Sequence, residues 1–503
     1  MAEKYVLALD EGSSSARAVL FNSTGIAVAD ASETIAPLFP YPGWVELDPA
    51  RLWGALHNSI LNVMAQVGAE AKDIAAVGIT THRETTVMWN RITGQPIHNA
   101  VMWMSKQTDP IISRWSQQGL DPVFREKTGV RNDSYFSAGK IVWLLENVAG
   151  AREAAEKGEL AIGTPDTWLL WNLTGGVSHK TDKSAASRTA LLNVTTGDWD
   201  RDLIDTLGIP PSLLPELVDS NGEFGVVAAG VLPGASGDPV PIRAVLGDQQ
   251  AGLFGQACVH RGMAKNTFGT AGVLTVNVGS EPLLIDGMST SVAWQFDGSL
   301  TCEAEGVVFH SGQTMQWLRD RLGLFSETGD TGAIAASVPD NGGVYVVPAF
   351  AGLCDPYWDR NVRAAIVGLR LDTDKAHIVR AGLESMAYQT WANVDALRRG
   401  GLSMSSLRVD GGAVANDWLC QFQADILGIP VERPIEIERT AHGVAHIAGS
   451  GVGLWSLDDI AATWQVDRVF EPSISDDQAE ALRDGWRHAV EAARSLPPAP
   501  VVT

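Results

Sequence analysis

Five stretches of this chain carry residue types whose spacing suits chemistry. The first is Asp10-Glu11-Gly12-Ser13-Ser14-Ser15 with Arg17, which gathers carboxylates, three hydroxyls and a guanidinium around one Gly. Hydroxyls and backbone N–H groups of a tight loop can cradle phosphate oxygens, and Asp10 at a strand end suits a hydrated Mg2+. The stretch lacks the Gly-Lys-[Ser/Thr] ending of a P-loop, and a strand follows it instead of a helix. Read alone, it is also simply a Ser-rich hairpin turn.

The second stretch is Thr81-His82-Arg83-Glu84-Thr85. Arg83 offers a fork of donors and Glu84 two acceptor oxygens, a pair that can grip neighbouring hydroxyls of a polyol. A surface ion pair and a buried, satisfied His82 are the plain alternatives. The third set is aromatic: Trp103, and Tyr135 with Phe136, combine an apolar face with a polar handle and suit a small polyol pocket. With 17 Trp in the chain, Trp103 is equally a core residue.

The fourth, Gly247-Asp248-Gln249-Gln250, sets a carboxylate in a Gly-flanked turn after the apolar run Ile242 to Leu246. A carboxylate there can take a hydroxyl proton during phosphoryl transfer, or can cap the apolar stretch that follows. The fifth, Asp410-Gly411-Gly412, is a turn in which the backbone can approach a nucleotide, with Asn416 close behind.

These residues need a frame. Tyr5 to Leu9 is a short continuous apolar run, so a buried strand is predicted, followed by strands over Ala16 to Phe21 and Ile26 to Ala29. Asp48-Pro49 opens a helix with apolar residues at helical spacing to Met64, and Ile74 to Ile79 is another buried strand. The second half restarts the same way: strand Gly262 to Phe268, a loop at Gly269 to Gly272, then strand Val273 to Val278. Leu407 to Val409 is a strand, and a helix is predicted from Asn416 to Leu427. Two mixed α/β domains of related design follow, with the boundary near 250–260. Gly230 to Pro239 reads as a surface loop, and the tail from Leu496 to Pro500 as a loose end.

Composition narrows the function classes. The chain has 503 residues, 45% hydrophobic, with a formal net charge of −22. Such a charge argues against nucleic acid or an anionic membrane as partner. The four Cys, at 258, 302, 354 and 420, have neither disulfide-scaffold nor metal-site spacing, which points to a reducing, cytoplasmic setting. The first ten residues hold too short an apolar run for a signal peptide, and no run reaches membrane-span length.

In their order along the chain these stretches resemble the FGGY carbohydrate kinases, most closely the glycerol-kinase group. Further matches are Pro42-Gly43-Trp44-Val45-Glu46, Gly163-Thr164-Pro165-Asp166-Thr167-Trp168, Gln316-Trp317-Leu318-Arg319-Asp320 and Tyr345-Val346-Val347-Pro348-Ala349-Phe350. The resemblance implies two actin-like (ribonuclease-H-like) ATPase domains, 1–252 and 253–495, flanking a deep cleft. It implies ATP as phosphoryl donor, Mg2+ at Asp10 and Asp248, and Asp248 as catalytic base. Ser13, Ser14, Ser15, Arg17, Thr270, Gly312, Gln316, Gly412 and Asn416 fall at the nucleotide contacts. Arg83, Glu84, Trp103, Tyr135, Asp248 and Gln249 fall at the acceptor. The expected partners are a small polyol, first of all glycerol, and ATP, with the chain in a homo-oligomer (dimer or tetramer). An actin- or Hsp70-like ATPase without an acceptor is the reading from another class; the hydroxyl-binding set speaks against it.

The departures from the group also carry expectations. Thr81-His82 stands where Asn-Gln is usual, and Met104-Ser105-Lys106-Gln107 where Gln-Cys-Arg-Arg is. Ala271 replaces a Gly, Val273 a Phe that lines the acceptor pocket, and His442 and His446 a Leu and a Tyr. A Phe-to-Val void left unfilled would cost about 1–3 kcal/mol, so a longer acceptor such as erythritol, threitol or xylulose is the alternative. The stretch Pro233 to Pro239 has no cation where some bacterial members bind a sugar bisphosphate, so no inhibition by fructose bisphosphate is expected.

Overall fold

Val6, Leu7, Ala8 and Leu9 are each 0% exposed, so the first strand is covered on both faces, as its unbroken apolar run requires. The computed structural model describes residues 3–234 and 239–497. The first strand, β1 (Tyr5–Glu11), pairs antiparallel with β2 (Ser15–Phe21), which pairs antiparallel with β3 (Ala27–Thr34). Helix α1 (Pro49–Val67) follows, its start fixed by Asp48, which accepts from Ala50 N, and by Pro49. Then β4 (Ile74–Thr81) lies parallel to β1 on its other side. β5 (Gly225–Val226) and β6 (Pro241–Gly247) complete a six-stranded sheet in the order β5-β6-β4-β1-β2-β3.

After helix α2 (Asp248–Gly255) the pattern repeats. β7 (Ala264–Phe268) and β8 (Gly272–Gly279) form a hairpin. β9 (Ser289–Phe296) and β10 (Ser299–Val308) extend it, and helix α3 (Gly312–Asp320) follows. β11 (Leu407–Asp410) lies parallel to β7; helix α4 (Asp417–Leu427), β12 (Val431–Pro434), helix α5 (Thr440–Ser450) and β13 (Val466–Phe470) come next. The second sheet runs β9-β10-β8-β7-β11-β12-β13. Both sheets contain one five-strand arrangement: two antiparallel pairings, then two parallel ones beside the first strand. This is the two-domain α/β, actin-like fold expected from the sequence. The predicted strands are all present within a few residues, and Asn416 caps α4 from outside the helix.

One placement is not local. Helix α5, from the second half, packs beside α2 on the first sheet, where Val444, Ala445 and Ala448 meet Val6, Ala8, Ala76 and Ala251. The other face of that sheet buries Leu7 and Leu9 against Leu52, Leu56 and Ile60 of α1. The close crossing needs glycine: a Cβ on Gly78 of β4 would stand 2.7 Å from the Val444 carbonyl oxygen. Cβ atoms on Gly255 and Gly443 would fall inside contact distance of the carbonyl oxygens of Arg439 and Ala251.

The surface loop expected over Gly230 to Pro239 is described in part; residues 235–238, the core of the stretch read for sugar-bisphosphate binding, lie outside the described residues, as does the tail from 498. Among the described residues no helix is long and apolar enough to cross a membrane.

Candidate active site

The carboxyl ends of β1, β4 and β6 bring three of the predicted stretches together. β1 delivers Asp10, β4 runs into Arg83 and Glu84, and β6 into Asp248, the first residue of α2. Arg83 and Glu84 are 3% and 2% exposed, so they are no surface ion pair. Arg83 Nε lies 3.2 Å from Asp248 Oδ1, and its Nη1 lies 2.6 Å from Glu305 Oε2. Arg188 closes the network: its Nε is 2.7 Å from Glu84 Oε1 and its Nη2 is 2.7 Å from Glu305 Oε1. Glu303 accepts from Gln250 Nε2 at 2.7 Å and from Ser291 Oγ at 3.2 Å.

Two guanidiniums thus face three buried Glu carboxyls. Burial raises Glu305, but Arg188 and Arg83 outweigh it and hold the carboxyl below its ordinary range. Glu303 is pushed up to about 8, by burial first and then by Glu305. Asp248 keeps a side chain 26% exposed on the open side.

The aromatic residues join the same place. Trp103 Nε1 donates to Ser13 Oγ at 2.8 Å, and its ring meets Tyr135 edge-on at 5.5 Å. The Arg188 guanidinium lies 5.9 Å from the Tyr135 ring centre. Lys140 Nζ donates to the carbonyls of Ser134, Tyr135 and Phe136, which fixes the Tyr135 backbone. Burial, with Glu84 and Glu305 nearby, holds the Tyr135 hydroxyl well above its ordinary range, so it stays a donor. Behind them His82 is buried: Nδ1 lies 2.8 Å from Glu11 Oε2 and Nε2 lies 2.7 Å from Thr85 Oγ1. Thr85 Oγ1 in turn accepts from Trp103 N at 3.2 Å.

The Ser loop is a tight hairpin closed by Gly12 N to Ser15 O at 2.8 Å, with Ser14 exposed and Ser13 and Ser15 half-buried. Arg17 lies opposite Asp10 in the hairpin, with Nη2 3.2 Å from Asp30 and Nη1 3.8 Å from Glu438, so its charge is shared with the protein's own acids. The second half offers a matching loop. Thr270 is exposed in the β7–β8 turn, and its carbonyl accepts from Ser311 N and Gln313 N. Gly312 N donates to Gly269 O at 3.0 Å, and a Cβ on Gly312 would sit 2.6 Å from that oxygen. Gln316 is exposed on α3, and Gly412 is exposed after Gly411, whose φ is 87°. Asn416 Oδ1 caps α4 and its Nδ2 donates to Thr331 Oγ1 at 3.2 Å.

Asp10 is the group that fits a cation. Its carboxyl is pushed up to about 7, by burial first and then by Asp248, against the pull of Arg17. Two carboxylates beside a hydroxyl loop are donors of the class Mg2+ takes, with water and phosphate completing its shell. Among the described residues no group of three or more His, Cys, Asp or Glu could hold a metal, so an all-protein cage is absent. A hollow of about 850 Å3 opens elsewhere, lined by Arg131, Asp133, Trp358 and Arg360 among others, and none of the predicted site residues line it.

Sequence reasoning missed Arg188, Glu303, Glu305 and Lys265, and gave Gln250, quoted beside Asp248, no role of its own. Glu303 and Glu305 had a signal, two acids at period two within what is β10, Ser299–Val308. Arg188 had none.

Residues 5–255 match the N-terminal domain, and residues 264–452 the C-terminal domain, of the FGGY family of carbohydrate kinases. The chain is 48% identical over 496 residues to a glycerol kinase of Geobacillus kaustophilus, covering 98% of this chain and 99% of that one. It is 47% identical over 496 residues to a glycerol kinase of Thermus thermophilus, with the same coverage. Among solved structures, Plasmodium falciparum glycerol kinase with ADP superposes with a TM-score of 0.91 at 31% identity, covering 98% of each chain. A xylulose kinase from Lactobacillus acidophilus shares the fold, with a TM-score of 0.88 at 21% identity and 98% of each chain covered. Both halves of the chain, its sheet order and its relatives therefore lead to one assignment: the chain belongs to the FGGY family of carbohydrate kinases.

Proposed function

We propose that the chain transfers the γ-phosphoryl group of ATP to a primary hydroxyl of glycerol, giving glycerol 3-phosphate. The observation that carries this reading is the convergence of Arg83, Glu84, Trp103, Tyr135, Asp248 and Gln249 in a chain whose relatives bear the name glycerol kinase.

In this reading Arg83 donates to one acceptor hydroxyl and Glu84 accepts from its neighbour, while Trp103 and Tyr135 cover the carbon edge. Asp248 takes the proton of the reacting hydroxyl as that oxygen bonds to γ-phosphorus and the bond to the β-phosphate oxygen breaks. Its ties to Arg83 and Gln249 hold its oxygens in place before the reaction. Ser13, Ser14, Ser15 and Arg17 receive the phosphates from the first half. Thr270, Gly312, Gln316, Gly412 and Asn416 receive the nucleotide from the second. Asp10 and Asp248 would hold Mg2+ with water, and the ion would neutralise phosphate charge. The reading divides the chain at 252/253 and includes a cytoplasmic homo-oligomer, dimer or tetramer.

A longer acceptor is the second reading, favoured by half-buried Val273. It shares a face of β8 with Thr275, which lies opposite Glu305 and Lys265, so a larger side chain there would take space on the face that carries the site. ADP release coupled to an indicator enzyme, with glycerol, erythritol, threitol and xylulose in turn, separates the two. A preference for glycerol above about tenfold in kcat/KM, 1.4 kcal/mol, rejects the longer acceptor. No phosphoryl transfer to any of the four rejects the functional reading itself. Asp248→Asn should lower kcat by about 100-fold or more while the acceptor KM changes little.

A further inference from the structure

Lys265 lies in β7 and is 1% exposed. Its Nζ donates to Gln249 Oε1 at 2.6 Å and to Thr267 Oγ1 at 2.6 Å. The ammonium runs under α2, where a Cβ on Gly252 would stand 3.4 Å from Nζ. A cation taken out of water needs counter-charge and acceptors: Glu305, whose carboxyl the Lys265 charge helps to hold low, supplies the first, and Gln249 and Thr267 supply the second. Packing alone would be served by an apolar side chain of the same length.

What the ammonium holds gives it a use. The Gln249 amide whose oxygen it grips has its Nε2 3.4 Å from Asp248 Oδ2, while Asp248 Oδ1 faces Arg83 Nε at 3.2 Å. Arg83 is in turn held by Glu305 at 2.6 Å. Lys265 and Glu305 both lie opposite Thr275 in the second sheet, so they stand in one row across it. That row reaches Asp248 from two sides, through Gln249 and through Arg83. Thr267, the other partner of Lys265, lies three residues before Thr270 on the strand that enters the β7–β8 loop.

We propose that Lys265 is a positioning residue for phosphoryl transfer, acting on Asp248 through the Gln249 side chain and tying the base of the first half to the nucleotide strand of the second. The assignment rests on the reading of Asp248 as the base. It makes the Lys265–Gln249 pair one unit, whose parts do not act independently.

The test is a double-mutant cycle on the full chain with glycerol and ATP, using Lys265→Met, Gln249→Met and the double variant. Lys265→Met should lower kcat/KM for the acceptor by about 100-fold, the effect of a reacting group displaced by about 1 Å, with the ATP KM changed by less than about threefold. The double variant should fall no further than the worse single one. Lys265→Arg, which keeps a donor on Gln249, should recover part of the loss. Losses that multiply in the double variant, or a Lys265→Met loss that appears equally in both KM values, would overturn the assignment and leave the functional reading standing. No transfer by the unsubstituted chain would overturn both. If Lys265→Met gives no folded protein by circular dichroism, the cycle with Lys265→Gln is decided by the same criterion.

Discussion

The indole Nε1 of Trp103 donates to Ser13 Oγ at 2.8 Å, so a residue of the proposed acceptor set is hydrogen-bonded to a residue of the proposed phosphate loop. A hydroxyl that accepts from an indole must direct its own proton elsewhere. In the proposed function, this presets Ser13 as a donor for a phosphate oxygen. Trp103→Phe keeps the ring against Tyr135 and removes the N–H. One neutral hydrogen bond is worth about 1 kcal/mol, roughly fivefold. We therefore expect the ATP KM to rise several-fold in steady-state kinetics while the acceptor KM moves less. An unchanged ATP KM would show that Ser13 is oriented without the indole.

Glu303 and Glu305, two positions apart on β10, should answer differently to the same substitution. Glu303, at about 8, is protonated at pH 7, so Glu303→Gln replaces one neutral group by another of the same shape. Its kcat/KM should stay within about threefold (0.65 kcal/mol) of the parent. Glu305→Gln leaves Arg83 and Arg188 short of a carboxylate, and breaking such a buried pair costs about 3–5 kcal/mol. The linkage has a sign. A carboxyl raised in the folded state keeps its proton longer than in the unfolded chain, so stability falls as pH rises from the ordinary carboxylate range to about 8. Glu303→Gln should therefore gain melting temperature relative to the parent on going from pH 5 to pH 8. A constant difference would contradict the assignment.

His442 and His179 set the opposite slope. Burial, then Arg439 and His446, lowers His442 to about 3, and burial lowers His179 to about 4. Below pH 6.5 the unfolded chain takes up protons that these rings refuse in the folded state. Their stabilising contribution is full above 6.5 and is lost as pH falls toward 4, at about 1.4 kcal/mol per pH unit for each ring that differs. His442 packs edge-on against Phe21 at 5.6 Å, an apolar setting in which Leu is at home. His442→Leu should flatten the fall in melting temperature between pH 6.5 and 4, read by differential scanning calorimetry. An unaltered slope would assign the acid sensitivity to other groups.

The parts of this molecule that could be read from sequence are those in which chemistry and local pattern coincide. Tyr5 to Leu9 announces a two-sided strand because every residue is apolar, although the strand carries on through Asp10 and Glu11, which the pattern assigns to the loop. Asp248 is visible because β6 ends in a Gly. Arg188 and Glu305 are different: they meet across 117 positions of sequence, and nothing near either residue records the other. Lys265 hides inside a strand that the pattern marks as buried, and only the crossing of α2 above it shows which group its charge serves. The seat of α5 on the first sheet is likewise set by shape. The glycines that allow it carry no periodic signal, because what each must avoid is a carbonyl oxygen from a distant segment.

That crossing can be tested by adding one carbon. Gly443 of α5 and Gly255 of α2 each face the backbone of the other element, with the carbonyl oxygens of Ala251 and Arg439 in the space a Cβ would fill. Neither oxygen is the far end of a flexible side chain, so the helices themselves must separate. Gly443→Ala should therefore destabilise by about 1–3 kcal/mol, although alanine is the better helix former. Gly54 of α1 is the control: it is helical, a Cβ there meets nothing within 4 Å, and Gly54→Ala should stabilise by about 0.4–1 kcal/mol. Thermal unfolding of the two variants should move in opposite directions from the parent. A Gly443→Ala variant as stable as the parent or more stable would mean that α5 and α2 can part at no cost, and that the glycines there are not what seats the second half of the chain on the first sheet.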